Sequence, residues 1–306
     1  MSETIIFFGS GPVAAKSLEL LLKNFKVEAV VTKPRPQHHK GSVPVLDIAS
    51  AHKLKVFTAR NKAELTNIFR PKPFKSRLAI LIDFGIIVPQ SVIDYFPLGI
   101  VNSHFSLLPE WRGADPITFA ILSGQDKTGV SLMLLTAGMD EGPLLSQVQT
   151  DITAGMTTPE LTEVLVNQSY AALCETLPPY FSGQIVPAPQ EAVTLAKNRT
   201  PTYSRRLTKD DGVIDWKKPA AEIEREIRAF ADWPQSRTNF GGLDVILTKT
   251  HILELSGKPG TRIIIDKNPV VFCGAVALAI DGIKPAGKKE MSGRAFLAGY
   301  KTVFSS

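Results

Sequence analysis

Residues 99–116 carry the sequence GIVNSHFSLLPEWRGADP, in which a short apolar run gives way to a polar loop. The run Gly99–Ser103 predicts a buried strand, and the loop begins at its carboxyl end, where ligands bind in open α/β sheets. Side chains alternate along a strand, so Asn102 and His104 are expected to point the same way and Ser103 the opposite way. The segment therefore predicts a ligand site at the end of a buried strand.

Apolar runs and helical patterns alternate on both sides of this segment. The predicted strands are Thr4–Phe8, Val27–Thr32, Leu78–Ile82, Gly129–Leu135 and Leu144–Val148. The predicted helices are Val13–Lys23, Lys62–Phe69 and Asp115–Ser123. Continuous apolar strands that alternate with helices are typical of parallel sheets covered on both faces. The first half is therefore predicted to be an α/β domain with a mostly parallel sheet.

The character of the sequence changes after a long predicted helix that begins at Thr158 and ends before Pro178-Pro179. The stretch that follows is rich in Pro, Thr and Gln and shows no period, so it predicts an extended linker. Beyond it, an amphipathic helix at Ala220–Phe230 is followed by short strands with glycine-rich turns, which favour a small β-barrel. The expected organisation is a first domain at 1–183, a linker at 184–205 and a second domain at 206–306.

The composition is that of an ordinary globular protein, with 306 residues of which 44% are hydrophobic and 21% charged. No run reaches the roughly 18 consecutive apolar residues that a membrane-spanning helix needs. The first residues lack the basic start and apolar stretch of a signal peptide. The two cysteines, Cys174 and Cys273, are too far apart for a metal-ligand spacing or a disulfide framework. We therefore expect a cytoplasmic protein that does not bind a membrane.

Charge is distributed unequally along the chain. Residues 1–183 hold 16 Lys or Arg and 16 Asp or Glu, whereas residues 184–306 hold 19 and 13, so the second part carries the whole net charge of +6. A basic domain of this kind is typical of nucleic-acid binding, although a globular domain can also simply be basic. The charge alone leaves both interpretations open.

The paired side chains of Asn102 and His104 suit a reaction at a carbonyl group. The amide offers a neutral N–H donor, and the imidazole offers a second donor and can transfer a proton near neutral pH. Two such donors stabilise the oxyanion that develops on a carbonyl under attack. A loop aspartate, Asp140, lies between Gly138 and Gly142, and its carboxylate is suited to orient the imidazole. Spacing alone does not separate that role from a turn-forming one.

The turn Gly9-Ser10-Gly11 follows the first strand and has the beginning of a dinucleotide-binding motif. The third glycine of that motif is replaced by Ala14, and the second strand ends in Thr32-Lys33 rather than in an acidic residue. A tight strand-to-helix turn is therefore favoured over a nucleotide site.

Several motifs together resemble the formyltransferase family that uses 10-formyltetrahydrofolate. In the first half these motifs are Asn102-x-His104, Ser106-Leu107-Leu108-Pro109, Trp111-Arg112-Gly113-Ala114 and Gly138-x-Asp140-x-Gly142. In the second half, Pro201–Leu207, Ile214-Asp215-Trp216, Trp233-Pro234 and Lys284–Lys289 are similar to the members that act on methionyl-tRNA. The resemblance covers nearly the whole chain. It implies a Rossmann-like catalytic domain followed by an OB-like barrel that contacts tRNA.

The resemblance also implies roles for individual residues. Asn102, His104 and Asp140 match the catalytic trio of the family. The segment that contacts the folate is matched by Ser106, Leu107, Leu108 and Pro109, and the loop around the pterin ring by the backbone of Asp83, Phe84, Gly85, Ile86 and Ile87. The residues expected to bind tRNA are Arg35, Lys40, Lys209, Lys249 and Lys288.

The implied activity is transfer of the formyl group of 10-formyltetrahydrofolate to the α-amine of methionyl-initiator-tRNA through a tetrahedral oxyanion, by a monomer without a metal. A hydrolase or a sugar-amine formyltransferase of the same family is the alternative. An inactive RNA-binding protein is disfavoured because the whole trio is present. Two features depart from the family: the basic loop at residues 33–44 is short, and Asp83 stands where a small or apolar residue is expected.

Overall fold

The computed structural model describes residues 3–38, 41–192 and 199–305. The strands are β1 Thr4–Phe8, β2 Lys26–Thr32, β3 Val56–Thr58, β4 Leu78–Leu81, β5 Ile100–His104, β6 Arg112–Gly113, β7 Lys127–Leu134, β8 Leu144–Asp151, β9 Tyr203–Ser204, β10 Ser236–Phe240, β11 Leu243–Leu253, β12 Arg262–Ile265, β13 Asn268–Phe272, β14 Ala277–Pro285 and β15 Met291–Ser292. The helices are α1 Pro12–Leu21, α2 Pro44–Ala51, α3 Lys62–Phe69, α4 Gln90–Ile93, α5 Pro116–Ser123, α6 Thr158–Phe181, α7 Ala220–Ala229 and α8 Gly293–Ser305, with 3-10 turns at Gln190–Ala192 and Lys209–Gly212.

The chain divides into two compact units. Over the described residues, the first unit consists of Met1–Pro116, Lys127–Asp151 and Thr162–Ser204, and the second of Ile117–Asp126, Ile152–Leu161 and Arg205–Ser306. The largest segment of the second unit thus begins at Arg205, and two shorter segments earlier in the chain also belong to that unit. None of the helices in the described ranges combines the length and the apolar character needed to cross a membrane.

A seven-stranded sheet forms the centre of the first unit, in the order β3-β2-β1-β4-β5-β7-β8. The strands from β3 to β5 are parallel, and β7 and β8 run antiparallel at one edge. This confirms the predicted α/β domain with a mostly parallel sheet. Leu81 of β4 pairs with Asn102 of β5, so the carboxyl ends of these two strands lie side by side.

The central strands are fixed by continuous apolar sequence. All four residues from Ile5 to Phe8 are fully buried in β1, and burying a large apolar side chain contributes about 1.5–3 kcal/mol. The helix α1 begins with Pro12, whose missing N–H costs nothing at the first helical position. Its buried face includes Leu18 and Leu21, which lie three residues apart, as one helix face requires.

The long helix α6 continues through Pro178 and Pro179 to Phe181, past the predicted end. The carbonyl groups of these two prolines still accept hydrogen bonds from the amides of Ser182 and Gln184, so the last turn stays paired. Parts of the segment expected to be an extended linker are ordered in the first unit. They form the turn Gln190–Ala192 and β9, which pairs with β6.

The second unit contains an antiparallel sheet in the order β10-β11-β14-β13-β12, with β15 paired to β14. The helix α7 buries Ile223 and Ile227 in an apolar core shared with Phe296 and Phe304 of α8. The predicted small β domain is confirmed. The pattern missed β10, because Ser-Arg-Thr-Asn-Phe is largely polar and only its first and last residues are buried.

Asp211 closes the 3-10 turn Lys209–Gly212 of the second unit. Its carboxylate accepts hydrogen bonds from the Arg205 guanidinium and from the amide and hydroxyl groups of Thr208. The hydrogen bond from Arg205 outweighs partial burial and holds the pKa of Asp211 well below its usual range. The charged carboxylate therefore stabilises the folded state.

Asp211→Asn is expected to destabilise the protein at pH 7 by about 1 kcal/mol, the usual size for loss of a helix-capping side chain. Because the pKa of Asp211 is lowered on folding, the wild-type advantage is complete above the unfolded pKa near 3.8 and declines as the pH falls below it. Thermal unfolding of both proteins between pH 7 and pH 3 measures this difference. A difference in stability between the two proteins that stays constant from pH 7 to pH 3 would contradict the role given to the charge.

Candidate active site

The candidate site lies at the carboxyl end of β5. Ser103 points away from it, and its hydroxyl oxygen lies 2.6 Å from that of Ser169 in α6. Asn102 and His104 point toward the loops that follow β5 and β7, and only 8% and 6% of their surfaces are exposed. Buried polar groups of this kind need hydrogen-bond partners, and the two loops supply them.

Three side chains meet at this point. The Asn102 side-chain amide donates to Asp140 Oδ1 over 3.3 Å, and His104 Nδ1 lies 3.7 Å from Asp140 Oδ2. Asp140 Oδ2 also accepts a hydrogen bond of 2.8 Å from the backbone amide of Gly113. The structure thus brings together an amide, an imidazole and a carboxylate, and their catalytic roles stay a prediction.

The imidazole of His104 is oriented by a backbone carbonyl rather than by Asp140. His104 Nε2 lies 2.9 Å from the carbonyl oxygen of Trp111. A carbonyl can only accept, so Nε2 carries a proton. The 3.7 Å separation between Nδ1 and Asp140 is longer than a hydrogen bond. Protonation of Nδ1 would place an imidazolium beside the carboxylate and an N–H donor in the site.

Each of the two loops of the site contains a residue with a strained backbone. Trp111 and Asp140 have φ angles of 55° and 50°, in the left-handed region, which costs roughly 1–3 kcal/mol for a residue other than glycine. Gly142 lies so close to β7 that a Cβ atom on it would sit 1.7 Å from the carbonyl oxygen of Leu134. The glycine after Asp140 is therefore required by close backbone approach.

Sequence analysis gave no role to two polar residues that reach these loops, Gln190 and Thr202, although Thr202 lies in the motif Pro201–Leu207. Gln190 donates to the carbonyl groups of Asp140 and Gly142, and Thr202 accepts a hydrogen bond from the amide of Trp111. These bonds join residues 48 to 91 positions apart, within a segment without periodicity. No pattern in the sequence marks such contacts.

The expected pterin loop, Asp83–Ile87, follows β4 at the same edge of the sheet. Phe84 is buried in the apolar core, whereas Ile87 is 70% exposed and Gly85 has a φ of 66°. Phe84 therefore anchors the loop in the core, and contact of the loop backbone with a pterin ring stays a prediction.

Asp83 makes hydrogen bonds at the N-terminus of α1. Its backbone carbonyl accepts a 2.9 Å hydrogen bond from Ser10, and its carboxylate accepts one from the amide of Ala14. The residue as a whole is exposed, but its carboxylate lies against Gly11, and burial raises the pKa of Asp83 to about 6, against the opposing effect of Lys33. A carboxylate thus occupies the helix N-terminus where a dinucleotide would place its phosphates. This supports the interpretation of Gly9–Gly11 as a turn.

The segment Ser106–Pro109 is buried. The Ser106 hydroxyl donates to the carbonyl of Glu110, and the Ser106 carbonyl accepts from the hydroxyl of Ser131. Leu107 and Leu108 are 1% and 0% exposed. These side chains support the loop from inside, and their contact with a folate stays a prediction.

The residues expected to bind tRNA lie at the surface where they are described. The Arg35 guanidinium donates to the carbonyl of Gly41 and lies 3.8 Å from Asp47. Lys209, Lys249 and Lys288 are exposed in the second unit, and Lys40 lies outside the described residues. Across the part of the chain that the structure describes, no cluster of three or more His, Cys, Asp or Glu is placed to hold a metal ion.

Two family models match the chain. The model described as formyl transferase matches residues 4–177, and the model of the formyl transferase C-terminal domain matches residues 206–301. The chain therefore belongs to the formyl transferase family and is an enzyme of that family.

Two relatives match this chain over nearly its full length. The chain is 33% identical over 305 residues to a methionyl-tRNA formyltransferase of Pseudoalteromonas translucida, covering 96% of this chain and 93% of the relative. It is 34% identical over 302 residues to a methionyl-tRNA formyltransferase of Trichlorobacter lovleyi, covering 97% and 94%.

Solved structures share the fold. An N-formyltransferase from Helicobacter canadensis, in complex with folinic acid and dTDP-3-aminofucose, matches with a TM-score of 0.69 and 19% identity, covering 91% of this chain and 98% of that one. HypX from Aquifex aeolicus, in complex with tetrahydrofolic acid, matches with a TM-score of 0.65 and 16% identity, covering 97% of this chain and 47% of that one. At these identities the likeness shows the fold alone.

Proposed function

We propose that this enzyme transfers the formyl group of 10-formyltetrahydrofolate to the α-amine of methionine carried by initiator tRNA. The observation that carries the proposal is the meeting of Asn102, His104 and Asp140 at the carboxyl end of β5. The acceptor is supported by the full-length relatives named methionyl-tRNA formyltransferase. The donor is supported by fold neighbours that were solved with folinic acid or tetrahydrofolic acid.

In this proposal the enzyme is a monomer that works in the cytoplasm. Initiator tRNA is used there, at the start of translation. All three catalytic side chains come from the first unit, so no residue of a second copy is required. The proposed chemistry uses an amide, an imidazole and a carboxylate, and assigns no step to a metal ion.

The first step is attack of the neutral α-amine on the formyl carbon. A carbon–nitrogen bond forms, and the carbonyl π electrons move to the oxygen, which becomes an oxyanion on a tetrahedral carbon. One N–H of Asn102 is directed at Asp140, and the other remains to stabilise this oxygen. Protonated His104 supplies a second donor through Nδ1, since Nε2 is held by Trp111.

The second step moves one proton and breaks one bond. The Asp140 carboxylate accepts a proton from the attacking nitrogen and delivers it to N10 of the folate. The oxyanion electrons re-form the carbonyl group as the bond between carbon and N10 breaks. The products are formyl-methionyl-tRNA and tetrahydrofolate, with no net gain or loss of protons.

The proposal is tested by offering the full chain three acceptors with 10-formyltetrahydrofolate: charged initiator tRNA, a dTDP-linked amino sugar, and water alone. We expect the formyl group to be transferred to the methionyl-tRNA, because the relatives that match over nearly their full length are named methionyl-tRNA formyltransferase. Formylation of the amino sugar, or release of formate, with unmodified tRNA would reject the proposal.

Lysines of the second unit are proposed to bind the tRNA backbone. Lys249→Ala and Lys288→Ala are each expected to weaken tRNA binding and to reduce the slope of log Kd against log salt concentration by about 1, because each removes one phosphate contact. The control is Lys62→Ala, an exposed lysine in α3 of the first unit. Filter binding between about 50 mM and 200 mM salt measures the slopes. An unchanged slope in both variants would contradict these contacts.

A further inference from the structure

We propose that two short segments, residues 188–192 and 199–204, form a brace that positions the catalytic trio, with Gln190 and Thr202 as its positioning residues. The brace lies in the stretch between α6 and the second unit, and only Thr202 falls within a motif quoted above, Pro201–Leu207. The inference rests on the proposed function, because it concerns how the same three side chains are held.

The first contact of the brace is made by Gln190, which is 4% exposed. Its side-chain nitrogen donates to the carbonyl oxygens of Asp140 and Gly142 over 2.8 and 3.1 Å, so both of its N–H groups are used. Its side-chain oxygen accepts a 2.8 Å hydrogen bond from the Arg112 guanidinium. A single buried amide thus ties the Asp140 loop to the loop after β5.

Neighbouring contacts hold Gln190 in place. Ala188 exchanges two backbone hydrogen bonds, of 2.7 and 2.9 Å, with Leu144 at the start of β8. Arg112 also contacts the carboxylate of Glu141 over 3.2 Å. Glu141 and Gly142, the two residues that follow Asp140, are therefore held by Arg112 and Gln190, which are themselves hydrogen-bonded to each other.

The second contact of the brace is made by Thr202. Its hydroxyl accepts a 2.9 Å hydrogen bond from the amide of Trp111, and its carbonyl accepts one of 2.9 Å from the amide of Arg112. Trp111 is the residue whose carbonyl holds Nε2 of His104. Thr202 therefore acts on His104 through one intervening residue, whereas Gln190 contacts the backbone of Asp140 directly.

Both residues held by the brace have strained backbones. Trp111 and Asp140 are residues other than glycine with left-handed backbones in the loops of the trio, with φ angles of 55° and 50°. Strained conformations persist only where the surroundings hold them. Catalytic groups must keep their geometry within about 0.5 Å, so loss of these hydrogen bonds should affect the rate before it affects binding.

The test uses variants that keep side-chain size and remove the side-chain hydrogen bonds, Gln190→Met and Thr202→Val. We expect each to lower kcat by about 10- to 100-fold, the effect of a small misplacement of catalytic groups, with KM values for both substrates within about twofold of wild type. The matched controls are Glu191→Ala and Thr200→Val, exposed neighbours of the two residues that should leave kcat unchanged. Wild-type kcat in both brace variants would overturn the inference.

A double-variant cycle separates positioning from general destabilisation. If Gln190 acts through Asp140, adding Gln190→Met to Asp140→Asn should lower kcat by less than about twofold further. If the kcat losses of Gln190→Met and Asp140→Asn multiply in the double variant, the two residues act independently and the positioning role is contradicted. A fall in the Tm of Gln190→Met large enough to account for its loss of kcat would contradict that role as well.

Hydrogen exchange gives a readout that does not depend on the substrate. The Gly113 amide donates to Asp140 Oδ2, so Gln190→Met should accelerate its exchange by about tenfold, while core amides of β1 stay protected. Unchanged exchange at Gly113 would reject the brace even if the enzyme proved inactive on tRNA. An inactive wild type with accelerated Gly113 exchange in the variant would reject the proposed function and retain the brace.

Discussion

His104→Ala is expected to lower the rate of formyl transfer by about 10²–10³-fold, the usual cost of removing one oxyanion donor. In the proposed mechanism the imidazole provides the second donor to the developing oxyanion; the Trp111 carbonyl orients it, and its Nδ1 lies 3.7 Å from the Asp140 carboxylate. Alanine supplies neither a donor nor a charge. Single-turnover formylation of charged initiator tRNA measures the effect on the chemical step directly.

The fold and the tRNA affinity of this variant should stay close to those of wild type. His104 is the last residue of β5, and the pairing of β5 with β4 involves Ile100, Val101 and Asn102 rather than His104. A matched control is His52→Ala, an exposed histidine at the end of α2, which should keep the full rate. Retained turnover in His104→Ala, with a folded protein, would remove His104 from the mechanism.

Asp140→Asn is expected to lower the same rate by about 10²–10⁴-fold, the range for loss of a general acid–base group. The substitution keeps the size of the side chain and removes both its charge and its ability to take a proton. It also places an amide where Asp140 now accepts hydrogen bonds from both Asn102 and the Gly113 amide, so one donor loses its partner. Binding of tRNA should change little, because the basic residues proposed to contact phosphates are left unchanged.

The control for this variant is Asp151→Asn at the end of β8, an exposed aspartate that should tolerate the change. Both variants should unfold at temperatures within a few degrees of wild type. A rate for Asp140→Asn within about threefold of wild type would show that no proton passes through the carboxylate, and would leave Asp140 as a turn-forming residue.

The sheet could be predicted because its strands are continuous apolar runs. The predicted strand Thr4–Phe8 and helix Lys62–Phe69 coincide with β1 and α3. Short elements escaped prediction: β3 has only three residues, and the eight residues of α2 follow a basic, proline-rich loop without a clear start. The antiparallel direction of β7 depends on how the chain returns after α5, which no local pattern encodes.

The side chains of the site could be proposed from the sequence, but the groups that orient and hold them could not. Alternation along β5 already places Asn102 and His104 on one face, and flanking glycines mark the Asp140 loop. The group that orients His104 is the backbone carbonyl of Trp111, which carries no sequence signal. Gln190 contacts the Asp140 loop from 50 positions away, in a segment whose composition suggests a linker.

Asp83 illustrates a departure from the family that the structure explains. An acidic residue beside a folate loop was unexpected, but its carboxylate is turned toward the N-terminus of α1 and accepts from Ala14. The carboxylate thereby has a hydrogen-bond partner within the protein. The departure therefore does not conflict with the proposed folate contact.

The most direct measurement is single-turnover transfer of the formyl group to methionyl-initiator-tRNA by the wild type and by the triple variant Asn102→Ala, His104→Ala and Asp140→Asn. The account predicts rapid formylation by the wild type and, because the three groups act as a unit, a triple variant little slower than the worst single variant. Formylation by the triple variant at the wild-type rate, or a wild type that leaves charged tRNA unmodified, would contradict it.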